Sequence, residues 1–121
     1  KIVRCILESL ALEYRHVADR ISNLLGRSLP VIHIIGGGSR NNLLNQFAAN
    51  ATGRVVFAGP VEATAIGNIL VQAIATGQIK SLSDARTIVR NSFDVAKFKP
   101  FSKAEWDEAY YRYLNIKGNT K

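Results

Sequence analysis

The run Gly36-Gly37-Gly38-Ser39-Arg40-Asn41 is the part of this sequence best suited to chemistry. Three consecutive glycines leave peptide groups unshielded, so a flat ring or a phosphate can approach backbone that any Cβ would cover. Asn41 adds an amide, which offers a donor and an acceptor at one position. A loop between the carboxyl end of a buried strand and a helix start is where open α/β sheets bind ligands. The helix N-terminus there presents unsatisfied N–H groups and a partial positive charge. The spacing fits neither common nucleotide fingerprint: G-x-G-x-x-G needs glycine where Asn41 stands, and Gly-Lys-Ser/Thr does not occur. Spacing alone leaves a ligand loop and a tight packing turn equally open.

Other chemistry-bearing residues are isolated. Between Asp19 and Asp84 the only acid is Glu62, at the first turn of an expected helix. The helix dipole accounts for a carboxylate there, and its isolation argues against a metal or general-base role. His33 lies inside an apolar run and reads as structural. His16 has no i+4 partner and reads as surface, and Arg40 as solvated. Cys5 stands beside an apolar stripe without a second cysteine, so it reads as packing. No catalytic residue and no metal ligand is assigned.

The elements that must position the glycine run are legible from periodicity. Residues 1–25 read as one helix, with Ile2, Val3, Ile6, Leu7, Leu10, Tyr14, Val17, Ile21, Leu24 and Leu25 on a stripe expected to face a core. Gly26 is its C-cap. Val31-Ile32-His33-Ile34-Ile35 suits a strand buried on both faces. Ser39 or Asn41 caps a helix over roughly 41–52, with Leu43, Leu44, Phe47, Ala48 and Ala51 inward. A second strand covers Val55–Ala58, and a helix over about 62–76 turns Ala63, Ile66, Ile69, Leu70, Ala73 and Ile74 inward. Strand, helix, strand with short connections implies parallel pairing. Sheets average about five or six strands, so further strands are expected before Lys1. Ser83 is the expected cap of a short helix carrying Ala85, Ile88 and Val89, and Phe93–Phe101 reads as extended. Ser102-Lys103-Ala104-Glu105 reads as a capping box for a last helix with Trp106, Ala109, Tyr110, Tyr113 and Leu114. Seven of the ten aromatic residues lie beyond residue 90, which suits a tail stapled onto the domain.

The segment Ile34-Ile35-Gly36-Gly37-Gly38-Ser39-x-Asn41-Asn42-Leu43-Leu44-Asn45-Gln46 resembles the adenine-binding segment of the FGGY carbohydrate kinases. Ala58-Gly59-Pro60-Val61-Glu62-Ala63-Thr64-Ala65-Ile66-Gly67-Asn68-Ile69 matches the same family, and its Gly67-Asn68 looks most like the L-rhamnulose kinase branch. The resemblance implies an α/β fragment of an actin-like (ribonuclease H-like) ATPase domain. Residues 1–121 would be the C-terminal segment of its second, ATP-binding domain, with the N-terminal domain absent. It also implies ATP and Mg²⁺ as cofactors, a ketose as substrate, and adenosine contacts from Gly36, Gly37, Gly38 and Asn41. The catalytic base and sugar pocket would lie elsewhere, leaving this segment inactive alone. A regulatory nucleotide-binding module on the same scaffold and a basic nucleic-acid-binding domain are the alternatives.

Composition agrees with one globular domain. The 121 residues are 47% hydrophobic and 21% charged, which excludes a disordered chain. No apolar run approaches a membrane span, and a single cysteine suits a reducing, cytoplasmic compartment. Sixteen basic against nine acidic residues give +7, but the charge is spread along the chain without a nucleic-acid-binding motif. A solvated surface is the expectation, with no nucleic acid and no membrane as partner. The absence of methionine points to a trimmed chain, and such a fragment is expected to self-associate.

Overall fold

A computed structural model describes residues 1–118. In chain order it holds α1 (Ile2–Leu25), β1 (Val31–Ile34), a 3-10 turn (Gly36–Arg40), α2 (Asn42–Thr52), β2 (Val55–Ala58), α3 (Ala63–Ala75), α4 (Leu82–Ser92), β3 (Ala96–Phe98) and α5 (Lys103–Gly118). The α/β class read from the sequence is the one observed. β1 and β2 pair in parallel, Val31 opposite Val55 through Ile34 opposite Ala58. β3 adds to the far side of β2 in antiparallel sense, giving the order β1-β2-β3. The extended stretch foreseen over Phe93–Phe101 thus narrows to three residues and supplies a third strand.

Helix α2 is the centre of the molecule. Its Ala48 and Ala49, together with Val56, form a core against Ile32, Ile34 and Phe98 of the sheet. Val56 has no exposed surface, and burying a valine fully contributes about 1.5–3 kcal/mol. The opposite side of α2 brings Ala51 and Phe47 against Ala11 and Leu12 of α1 and Trp106, Tyr110, Tyr113 and Leu114 of α5. Trp106, Tyr110 and Tyr113 form the expected staple, whereas Phe93, Phe101 and Tyr111 of the same tail are exposed. Charge reinforces the staple: Arg15 donates to Asp107 at 2.6 Å and lies 4.1 Å over the Tyr110 ring. Glu13 accepts from Tyr113 and from Lys117.

Several expectations fail. The α1 stripe does not face this core: Val3, Ile6, Leu10, Val17, Ile21 and Leu24 are exposed, Leu24 at 84%. The buried face of α1 is the one carrying Ala11, Leu12 and Ala18, and there Ala11 and Leu12 pack with Ala51 of α2. A hydrophobic stripe marks a face that can be covered, and another face took the partner available. The strands are likewise covered on one face only. On the other, His33, Phe57 and Lys97 stand in one cross-strand row, with the two rings stacked at 5.5 Å and Lys97 over Phe57. α3 packs chiefly on α4 and buries no residue, so its supposed inner face is at best half-covered and Ile69 is exposed.

The helix starts also differ. Ser81 rather than Ser83 caps α4, accepting from Asp84 N–H at 3.1 Å. Ser102 takes φ 54°, the left-handed region, whereas an N-cap residue is ordinarily extended. The sequence S-x-x-E therefore does not form the foreseen box. Among the described residues no helix is long and apolar enough to cross a membrane.

Candidate functional site

The glycine run lies at the carboxyl ends of the two parallel strands. β1 ends at Ile34, and Gly36–Arg40 then wind into a 3-10 turn feeding α2. Of the two caps considered, Asn41 serves, its Oδ1 accepting from Leu44 N–H at 3.0 Å. Ser39 is buried beneath the turn and donates from Oγ to Gly36 O at 2.7 Å. Ile35 is extended and exposed, so β1 stops one residue earlier than its composition suggests.

The second motif meets the first through backbone. Gly59 N–H donates to Ile34 O at 2.8 Å, and Gly36 N–H donates to Pro60 O at 3.2 Å. Gly59 has φ 118°, and a Cβ there would stand 2.9 Å from the Asp94 carbonyl oxygen. Its glycine identity is set by this close approach. From sequence Gly59 appears only as a member of the second motif, and its close approach to Asp94 becomes visible only in the fold.

The three glycines of the turn are not equivalent. Gly36 has φ 73°, a conformation L side chains rarely adopt. Gly37 and Gly38 do not have positive φ. A Cβ on Gly37 would meet nothing within 4 Å, and one on Gly38 only an ordinary contact with Ile34 at 3.8 Å. Both are exposed, as is Asn41, so the turn presents bare backbone and an amide to solvent. Gly36, Gly37, Gly38 and Asn41 are thus brought onto one turn.

The remaining candidates stay apart. Glu62 is exposed at the N-cap of α3 without a side-chain capping bond. His33 is exposed on the uncovered sheet face rather than enclosed in a strand core. His16 is half-buried, edge-on to Tyr113 at 6.4 Å, because α5 covers the surface on which it was expected to lie free. Cys5 is exposed, not packed, since the stripe beside it is itself uncovered. Arg40 is exposed. Among the described residues no three His, Cys, Asp or Glu side chains gather to hold a metal ion.

Comparison with known proteins gives this arrangement its relatives. Residues 1–76 match the FGGY family of carbohydrate kinases, C-terminal domain. A rhamnulokinase of Bacteroides thetaiotaomicron is 48% identical over 95% of this chain and 24% of its own length. One from Halalkalibacterium halodurans is 44% identical over 81% of the chain and 21% of the relative. One from Yersinia pestis is 37% identical over 96% of the chain and 24% of the relative. The chain spans about a quarter of the length of these relatives. The small sheet flanked by helices is consistent with a C-terminal fragment of the actin-like ATPase fold. The chain belongs to the FGGY family of carbohydrate kinases and carries part of that family's C-terminal domain.

Proposed function

We propose that residues 1–121 are the C-terminal segment of the second, ATP-binding domain of an ATP-dependent sugar kinase, and that Gly36, Gly37, Gly38 and Asn41 contact adenosine. The observation that carries this reading is the pair Gly37 and Gly38. Both are exposed, neither needs a positive φ, and each has room for a Cβ. Glycine in a helical turn costs about 0.5–1 kcal/mol relative to alanine. The packing of this chain does not account for that cost at two successive positions, whereas a flat base pressed onto the backbone does. Asn41 spends its Oδ1 on the α2 cap, which leaves Nδ2 as a donor toward an acceptor of the base or ribose.

The intact enzyme transfers the γ-phosphoryl group of ATP to a ketose hydroxyl. The relatives' name, rhamnulokinase, supports L-rhamnulose as that ketose. Such transfer needs a base for the hydroxyl, ligands for Mg²⁺ and a cradle for the phosphates. None is assigned to this chain. Its part is to bind and orient the nucleoside end of the cofactor.

The test is Gly37→Val in the full-length protein. Open space at the Cβ position predicts a folded variant, while the branched side chain blocks the base, so ATP binding is lost. Retained ATP affinity in the folded variant overturns the assignment.

A further inference from the structure

We propose that Asn45 is a positioning residue for the glycine turn, setting nucleotide affinity from beneath without reaching the ligand. The inference rests on the adenosine reading given above. Three successive glycines have too much conformational freedom to hold one shape by themselves. Among the described residues, two side chains brace this turn from within. Asn45, on the first turns of α2 with 0% exposure, donates from Nδ2 to Ser39 O at 2.9 Å. Ser39 in turn donates from Oγ to Gly36 O at 2.7 Å. The relay runs from the rigid helix through Ser39 to the first glycine, and fixes where the exposed backbone of Gly37 and Gly38 lies.

The chemistry of Asn45 is costly for a residue serving packing alone. Its Oδ1 is buried with no hydrogen-bond partner, and an unpaired buried carbonyl opposes folding. Leu44, Ala48 and Ala49 fill neighbouring buried positions of α2 without that cost. What the amide supplies and an apolar side chain does not is the bond to the turn. Asn50 is the internal comparison: it is equally an asparagine buried on α2, but its Oδ1 accepts from Gln46 and from Phe101 N–H. It serves the tail, not the turn.

The experiment measures the ATP dissociation constant, the sugar KM and the melting temperature in the full-length protein for Asn45→Leu, Ser39→Ala, Asn50→Ala and Gly37→Val. Asn45→Leu and Ser39→Ala are expected to weaken ATP binding about three- to tenfold, the span of one hydrogen bond acting on the bound state. The sugar KM stays within about twofold. Asn50→Ala lowers the melting temperature and leaves ATP affinity unchanged. Unchanged ATP affinity in Asn45→Leu, or an equal loss in Asn50→Ala, overturns the positioning role. Should Asn45→Leu not fold, Ser39→Ala decides by the same criterion. Where Gly37→Val weakens ATP binding and the Asn45 and Ser39 variants do not, the positioning role alone fails. Where Gly37→Val is also without effect, the adenosine reading fails with it.

Discussion

Gly59 N–H donates to the carbonyl oxygen of Ile34 at 2.8 Å, joining the residue after β2 to the last residue of β1. The reciprocal bond from Gly36 N–H to Pro60 O makes the two turns one unit. Two motifs more than twenty residues apart in sequence therefore act on one stretch of backbone, and a change in either is felt by the glycine run.

Gly59→Ala tests that unit. Its φ of 118° strains any L side chain, and the new Cβ would meet the Asp94 carbonyl oxygen at 2.9 Å. The substitution is expected to destabilise the protein by about 2–3 kcal/mol, read from the midpoint of urea unfolding. An unchanged midpoint would show that the Asp94 segment yields freely.

The uncovered surface of α1 makes a second prediction. Val3, Leu10, Val17 and Leu24 recur every seven residues along one exposed stripe, a pattern that favours helix association. The isolated chain is expected to self-associate in sedimentation, and Val3→Lys with Val17→Lys to shift it toward monomer. A monomeric parent chain that unfolds cooperatively contradicts this.

Alkaline stability is expected to depend on Tyr110. Burial, and after it the Asp19 carboxylate, raise the phenol above its ordinary 10.0, against the opposing pull of Arg15 and Lys117. Above pH 10.0 the unfolded phenol loses its proton while the native one keeps it, so stability falls as pH rises toward the native value. Tyr110→Phe should flatten that part of the stability profile. An identical decline in the variant places its origin elsewhere.

The chain by itself is expected to phosphorylate no ketose. Of its nine acids, none gathers with two other metal-ligating side chains among the described residues, and the proposed function puts the base and sugar pocket outside it. An assay of the purified chain with MgATP and L-rhamnulose, beside the full-length protein, measures this. Turnover by a preparation free of host kinase refutes the division of labour. Turnover of a different sugar by the full-length protein changes only the substrate.

Local chemistry was enough to place the helices and the paired strands within a few residues. Gly26 and Gly53 end α1 and α2 in the left-handed conformation that their identity favours. Asn41 caps α2 because a short acceptor side chain at that position reaches the N–H three residues on. The glycine run, its place after a β-branched strand and its kinship were all legible, since each rests on residue type and spacing along a few turns of chain.

Tertiary structure decided what faces what. The Ala11–Ala18 side of α1, not its hydrophobic stripe, meets α2, and periodicity names a face without naming its partner. β3 pairs antiparallel to β2 through only three residues, a choice made by the neighbouring edge rather than by Ala96-Lys97-Phe98. Ser102 stands at a left-handed φ despite a capping-box sequence, because the path of the chain into α5 sets its backbone. The division between Gly36, held by its φ, and Gly37 and Gly38, left bare, also appears only in three dimensions. So does the role of Asn45, whose bond to Ser39 forms only once the turn folds back over the helix. Hydrogen bonds and hydrophobic contacts between distant segments depend on the packed arrangement, and sequence spacing carries only their local half.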